Sequence, residues 1–183
     1  MPNWCDTTYC CTGKQRDLES LEKVLKDLGK RDDNFDFGIP LYAIVDELGG
    51  DSEFMGCRGT VVSYRMDEKG LWLYQDTAWC EQSDFREFLE KTYPGMVIYY
   101  SEIEPMEDLY YTNDSSGKYI STRYIVDLDE IGWEYFDTIE AAIEYISMIL
   151  DIPVEEIPDN YEELSVWLEE ANEYFSMHKI EVV

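Results

Sequence analysis

The sequence predicts an α+β protein: an antiparallel sheet with helices on one face, followed by an acidic extension of strands and two helices. Three observations lead there. Runs rich in β-branched and aromatic residues alternate with stretches whose leucines recur every three or four residues. Glycine, proline and small polar residues fall between the two kinds of run. Of the 183 residues, 45% are hydrophobic and 15% aromatic, enough for a core despite heavy charge.

Residues 4–12, WCDTTYCCT, are rich in Thr, Tyr and Cys and end at Gly13, so they read as a strand. KQRDLESLEKVLKDLG then sets Leu18, Leu21, Leu25 and Leu28 on one helical face and stops at Gly29. A polar loop, RDDNFDFG, precedes a short helix in IPLYAIVDELGG that ends at Gly49-Gly50. CRGTVVSYRM and LWLYQDTAW flank DEKG and form a hairpin. Ser83 or Asp84 caps a helix carrying Phe85, Phe88 and Leu89, closed by Tyr93-Pro94-Gly95. MVIYYSEI completes the set as a strand. The order β-α-β-β-α-β, with one small helical insertion, is the ferredoxin-like order, expected over residues 1–103.

Residues 104–183 form the extension, expected to pack on the first domain as one structural unit. DLYYT and KYISTRYIVDL flank NDSSG as a second hairpin, and IGWEYF supplies a third strand. Asp137, with Glu140 three residues on, caps a helix bearing Ala142, Ile143, Ile146, Ile149 and Leu150. Pro153 and Pro158 bound a linker. Asn160 or Asp159 then starts a helix whose stripe is Tyr161, Leu164, Trp167, Leu168, Ala171 and Phe175, and HKIEVV reads as a last strand.

Charge narrows the function. Against 14 Lys+Arg stand 41 Asp+Glu, a formal net charge of −27. Residues 102–183 hold 22 acids and only Lys118, Arg123 and Lys179 as bases, so most of the excess lies there. Such a surface repels phosphate backbones and anionic membranes and attracts basic protein surfaces. No apolar run is long enough for a membrane span and no basic-then-apolar leader opens the chain. Five cysteines without a C-x-x-C pair suit a reduced, cytoplasmic protein.

MPNWC at the start, Gly49-Gly50, Thr77-Ala78-Trp79 and YYTND…GKYI…RYIVD between Tyr110 and Asp127 resemble a family of phage- and plasmid-borne proteins that begin MPNWC. The resemblance implies a ferredoxin-like domain, a mobile-element origin in a bacterium and no assigned activity. It carries over no catalytic residue.

Motifs for chemistry are scarce. Cys5, Cys10 and Cys11 share one strand, with Cys5 and Cys11 on one face and Cys10 on the other, which is not the spacing of a zinc site. Cys57 and Cys80 belong to the central hairpin, and His178 is the one histidine, a thin supply of bases for a nucleophile. Asp127 to Gly132 matches a calcium loop at positions one, three and six, but position five is Ile131 and position twelve is Thr138, where a bidentate Glu is required. Paired carboxylates are too numerous for any pair to stand out. No metal and no cofactor is expected.

What remains is a surface of acids with interspersed aromatics. The expected binding residues are Glu162, Glu163, Glu169, Glu170, Glu173, Trp133 and Glu134, with Tyr135, Tyr161, Trp167 and Tyr174 nearby in sequence. The function expected is a non-enzymatic interaction protein that binds a basic surface of a host protein. That partner would be a nucleic-acid-binding protein such as a nuclease or defence component, inhibited by nucleic-acid mimicry in the manner of an anti-CRISPR. Direct nucleic-acid or membrane binding is not expected, and the oligomeric state, a homodimer included, stays open. The alternatives are a metal-assisted carboxylate enzyme and a scaffold whose acidity serves only solubility.

Overall fold

The computed structural model describes residues 3–31 and 37–183, so the polar loop expected at 31–38 lies mostly outside the described residues. The fold is mixed α+β, and the chain divides into two compact units, Met1–Asn113 and Asp114–Val183.

The first unit runs β1 (Trp4–Thr12), α1 (Gln15–Leu28), β2 (Ile39–Pro40), α2 (Leu41–Glu47), α3 (Ser52–Met55), β3 (Gly59–Met66), β4 (Leu71–Ala78), α4 (Ser83–Thr92), β5 (Val97–Glu104) and β6 (Leu109–Thr112). Its strands lie in the order β6-β5-β1-β4-β3-β2, each of these neighbours antiparallel. Alternation sorts the faces. Tyr9 and Cys11 stand between Leu73 and Leu71 of β4 and Tyr100 and Ile98 of β5. The four leucines of α1 and Phe85 and Leu89 of α4 join the same core, so both helices cover one face of the sheet. Each such side chain contributes roughly 1.5–3 kcal/mol by leaving water.

The opening cysteines are core. Cys5, Cys10 and Cys11 are fully buried thiols in no disulfide, on a strand paired along both edges. Cys57 precedes β3 and Cys80 follows β4, and neither is in a disulfide. The hairpin turn is closed by Asp67, whose N–H donates to Gly70 O at 2.9 Å and whose Oδ1 accepts from Lys69 N at 2.8 Å. Gly70 is required there because a Cβ would lie 2.2 Å from Cys11 O.

The structure departs from expectation in four elements, apart from two helix caps, where Gln82 and Thr138 stand in place of Ser83 or Asp84 and of Asp137. Ile39–Pro40 pairs with β3 as a short edge strand, where proline is tolerated, before the expected helix begins at Leu41. Ser52–Met55 adds a one-turn helix. The third difference is β6, which pairs with β5 and forms no hairpin with the run 118–128, so the first unit ends after Asn113 and not near residue 103. The cause is Asp114. Its carboxylate accepts from Ser116 Oγ at 2.6 Å, Tyr119 N at 2.7 Å and Ile120 N at 2.9 Å, taking up N–H groups that a hairpin ladder would need. Arg123 fixes the same loop, its guanidinium donating to the carbonyls of Asp114, Ile120 and Thr122 at 2.7–2.8 Å.

The second unit has strands β7 (Tyr124–Leu128), β8 (Trp133–Phe136) and β9 (Phe175–Lys179) in the antiparallel order β8-β7-β9, with helices α5 (Ile139–Leu150) and α6 (Tyr161–Ala171). Val126, Leu128, Ala142, Ile143, Ile146, Leu164, Leu168 and Met177 form its core. Thr138, one residue beyond the expected Asp137, caps α5 by accepting from Ala141 N at 3.3 Å, and Asn160 caps α6 through Glu163 N at 3.0 Å. The fourth difference is the end of α6. It stops at Ala171, because Asn172 turns extended and Phe175 opens β9 opposite Leu128. Pairing with β7 outweighs the helical stripe expected to reach Phe175.

Candidate functional site

Two places in the molecule concentrate polar chemistry. One is the acidic surface of the second unit. That unit carries 18 acids against 3 bases, and residues 124–178 hold sixteen acids with no lysine or arginine. On α6, Leu164 and Leu168 face the core while Glu162, Glu163, Val166, Glu169 and Glu170 are exposed. Glu155, Glu156 and Asp159 continue the exposed acids before the helix, and Glu140 and Glu144 do so on α5. Among the described residues, no ion pair engages a carboxylate of α5 or α6, whereas the first unit pairs Glu22 with Lys26, Glu47 with Arg31 and Glu81 with Arg86.

The position of these acids along α6 matters. Glu162 and Glu163 sit in the first turn, where the helix dipole favours anions. Glu169 and Glu170 sit in the last turn, where it opposes them, and no basic residue is there to compensate. The cost is about 0.3–1 kcal/mol per charge at low salt. The two pairs are seven residues apart, roughly 10 Å along the helix axis at 1.5 Å per residue.

The structure brings four of the expected site residues together on α6 and separates the others. Glu173 is exposed in the turn after the helix, and Glu134 is exposed on β8. Trp133 is half-buried and committed: its Nε1 donates to Asp127 Oδ2 at 2.7 Å and its ring lies 6.4 Å from His178. Asp127 also accepts from Asp129 N at 3.1 Å, so the calcium-like segment is an internally bonded turn. Tyr161 and Trp167 pack against the core, while Tyr135 and Tyr174 stand exposed.

The other place is a polar layer inside the first unit that sequence reasoning missed. Tyr9 Oη donates to Glu81 Oε1, which also accepts from Arg86 Nε at 2.9 Å. The backbone N–H of Glu81 donates to Glu102 Oε2 at 2.6 Å, and the Arg86 guanidinium lies 5.3 Å from the centre of the Tyr100 ring. The hydroxyls of Thr7 and Thr77 bond each other at 2.7 Å. Tyr9, Glu81, Tyr100, Glu102, Thr7 and Thr77 are each at most 8% exposed. Burial, with the Glu81 charge adding to it, pushes the Glu102 carboxyl above the usual carboxylate range, against the bond from Glu81 N. Burial, then Glu102 and Glu81, push Tyr100 up to about 12. Burial likewise lifts the Cys5 thiol to about 11, and Cys11 is raised further by burial and Cys10. Thiols this far above neutrality are not thiolates, which removes them as nucleophiles at physiological pH. The legible clue to this layer was Glu102 and Glu104 in β5, at the same alternation as Ile98 and Tyr100 on the core face.

No group of three His, Cys, Asp or Glu side chains among the described residues is placed to hold a metal, and no helix among them is long and apolar enough to cross a membrane. An open cleft of about 840 Å³ in the first unit is lined by Met55 and Phe88 with Asp51, Asp84, Glu87 and Lys91 at its sides. Gly50 also lines it, and a Cβ there would meet the Phe88 ring at 2.7 Å. Compared with known proteins, the chain matches no family model, no curated protein and no solved structure.

Proposed function

We propose that this chain is a non-catalytic interaction protein that binds a basic surface of another protein through the exposed acids of α6. The observation that carries the reading is the placing of Glu169 and Glu170. They stand in the last turn of a helix, against its dipole, with no basic residue in that turn and no ion pair. Solubility needs net charge but not charge in that position. The exposed tyrosines Tyr135 and Tyr174 add contact residues of the kind that anchor interfaces.

The partner we envisage is a nucleic-acid-binding host protein, a nuclease or defence component, whose basic channel the acids occupy in place of phosphates. The MPNWC opening supports an origin on a phage or plasmid and action in the bacterial cytoplasm. The ferredoxin-like reading of the first unit is supported by the order β5-β1-β4-β3 with α1 and α4 on one face.

The test is affinity capture from a bacterial lysate with three baits: the wild type, the triple reversal Glu169→Lys/Glu170→Lys/Glu173→Lys, and a first-unit reversal at Glu19, Glu53 and Glu68. That control set is exposed and outside the described ion pairs, unlike Glu22 and Asp27, which pair with Lys26 and Lys30. A partner held by the wild type and the control and lost by the α6 reversal supports the proposal. Equal capture by all three baits, at low and high salt, refutes it.

A further inference from the structure

Gln75 lies on the central strand β4 with 2% of its surface exposed, and neither its Oε1 nor its Nε2 meets a protein partner. Register fixes its surroundings. It stands opposite Thr7 of β1 and Val61 of β3, on the same face as Thr77 two residues on. The Thr7 and Thr77 hydroxyls are engaged with each other, and Thr77 Oγ1 also reaches Cys5 O at 3.3 Å. On the other side of Thr7, Glu102 Oε2 accepts from Glu81 N. Along the same face of β5, Glu104 is 2% exposed, spends Oε1 on Met106 N and leaves Oε2 without a protein partner.

A buried carboxamide is not left bare in a folded protein. Its two donors and its acceptor are satisfied by protein or by ordered water. No protein atom meets Oε1 or Nε2 of Gln75 in hydrogen-bonding geometry, so protein does not supply the partner. An apolar guest would leave the amide as it is. A metal ion would satisfy Oε1 and repel Nε2, and the required group of ligating side chains is missing among the described residues. Water both donates and accepts, so one small species fits both ends of the amide, and it also donates to an acceptor such as Glu104 Oε2. A unit of this size carries a few internal waters, at about one per 27 residues.

We infer that the polar layer formed by β1, β4 and β5 is an internal hydration site, and that Gln75 specifies its position. Bound water completes the row Glu102–Thr7–Gln75 as a hydrogen-bonded layer at the end of the sheet that the loop between β4 and α4 closes. The site is independent of the acidic surface on α6.

The test is water-to-protein magnetisation transfer by NMR on the isotope-labelled full chain. The side-chain amide protons of Gln75 should show cross-peaks to water with the sign of a long-lived bound molecule. Gln82, whose Nε2 already donates to Ala78 O and Cys80 O, is the control and should show none. Hydroxyl protons can relay such signals, so the measurement is repeated in Thr7→Val/Thr77→Val, where the Gln75 peaks should persist. No Gln75 peak in the wild type, or one that vanishes with the two hydroxyls, overturns the inference. If the double variant does not fold, a crystal structure of the wild type decides: water within about 3.2 Å of Gln75 Oε1 or Nε2 supports it, and a dry or protein-bonded amide refutes it.

Discussion

In the first unit several carboxylates are tied into the fold by ion pairs or buried hydrogen bonds, whereas in the second most stand apart from it. Glu81 holds Arg86 and Tyr9, Glu102 holds the backbone of Glu81, and Glu22 and Glu47 pair with Lys26 and Arg31. That unit has 23 acids and 11 bases, so partners are at hand. The second unit uses Asp114 and Asp127 in its loops and Asn160 and Thr138 as caps, and leaves the acids of α5 and α6 exposed. A carboxylate that holds structure costs stability when lost. One that only adds to a field costs little or even relieves strain, and its removal shows in association.

The largest difference is expected at Glu81. Glu81→Ala leaves the Arg86 guanidinium and Tyr9 Oη without their carboxylate in a mostly buried site and should cost about 3–5 kcal/mol in urea unfolding. Glu169→Ala should stay within about 0.5 kcal/mol of the wild type. If the two variants unfold at similar urea concentrations, the contrast between the units is wrong.

Asp114 is the acid of the second unit that breaks its pattern, and pH separates it from the rest. Burial raises its carboxyl, but the bonds from Ser116, Tyr119 and Ile120 together hold it below the usual range. A lowered carboxyl contributes stability above its unfolded value and loses it as pH falls through the folded one. Asp114→Asn should therefore cost about 1–3 kcal/mol at pH 7, with the gap to the wild type closing below pH 4. Glu102 has the opposite sign. Its raised carboxyl is a penalty that appears as pH rises past the ordinary glutamate range, so Glu102→Gln should gain on the wild type between pH 4 and 7. Unfolding curves at several pH values read both, and parallel profiles for all three proteins would contradict the assigned shifts.

Cys11→Ala tests a smaller effect. The loss of a fully buried sulfur should cost on the order of 1 kcal/mol with no change in metal content by mass spectrometry. Stoichiometric zinc in the wild type would overturn the core reading of β1.

Much of the fold was legible because its signals are local. The leucines of α1, the alternating runs of β3, β4 and β5 and the Asn160 cap announce themselves within a few residues. Ile39–Pro40 did not, since two residues carry no period. The end of α6 was hidden because β7, more than thirty residues back along the chain, decides it, and the partner of β6 was hidden because the Asp114 carboxylate takes up the N–H groups that the NDSSG hairpin would need. The acidic surface was legible because charge is composition. The commitment of Trp133 to Asp127, and the row Glu102–Thr7–Gln75, depend on register across strands, which a single sequence does not spell out.

If the acids of α6 act on a partner and not on the fold, as proposed, association with that partner must depend steeply on salt. The captured partner is immobilised, and association rates are measured from about 50 to 300 mM salt for the wild type, the α6 triple reversal and the first-unit reversal. A steep fall of rate with salt is expected for the wild type and the first-unit reversal. The α6 reversal should give a slow, nearly flat profile with unfolding stability unchanged or slightly raised, since lysines suit the last turn of a helix. Superimposable profiles for all three proteins would contradict it and leave the acidity as a solubility device.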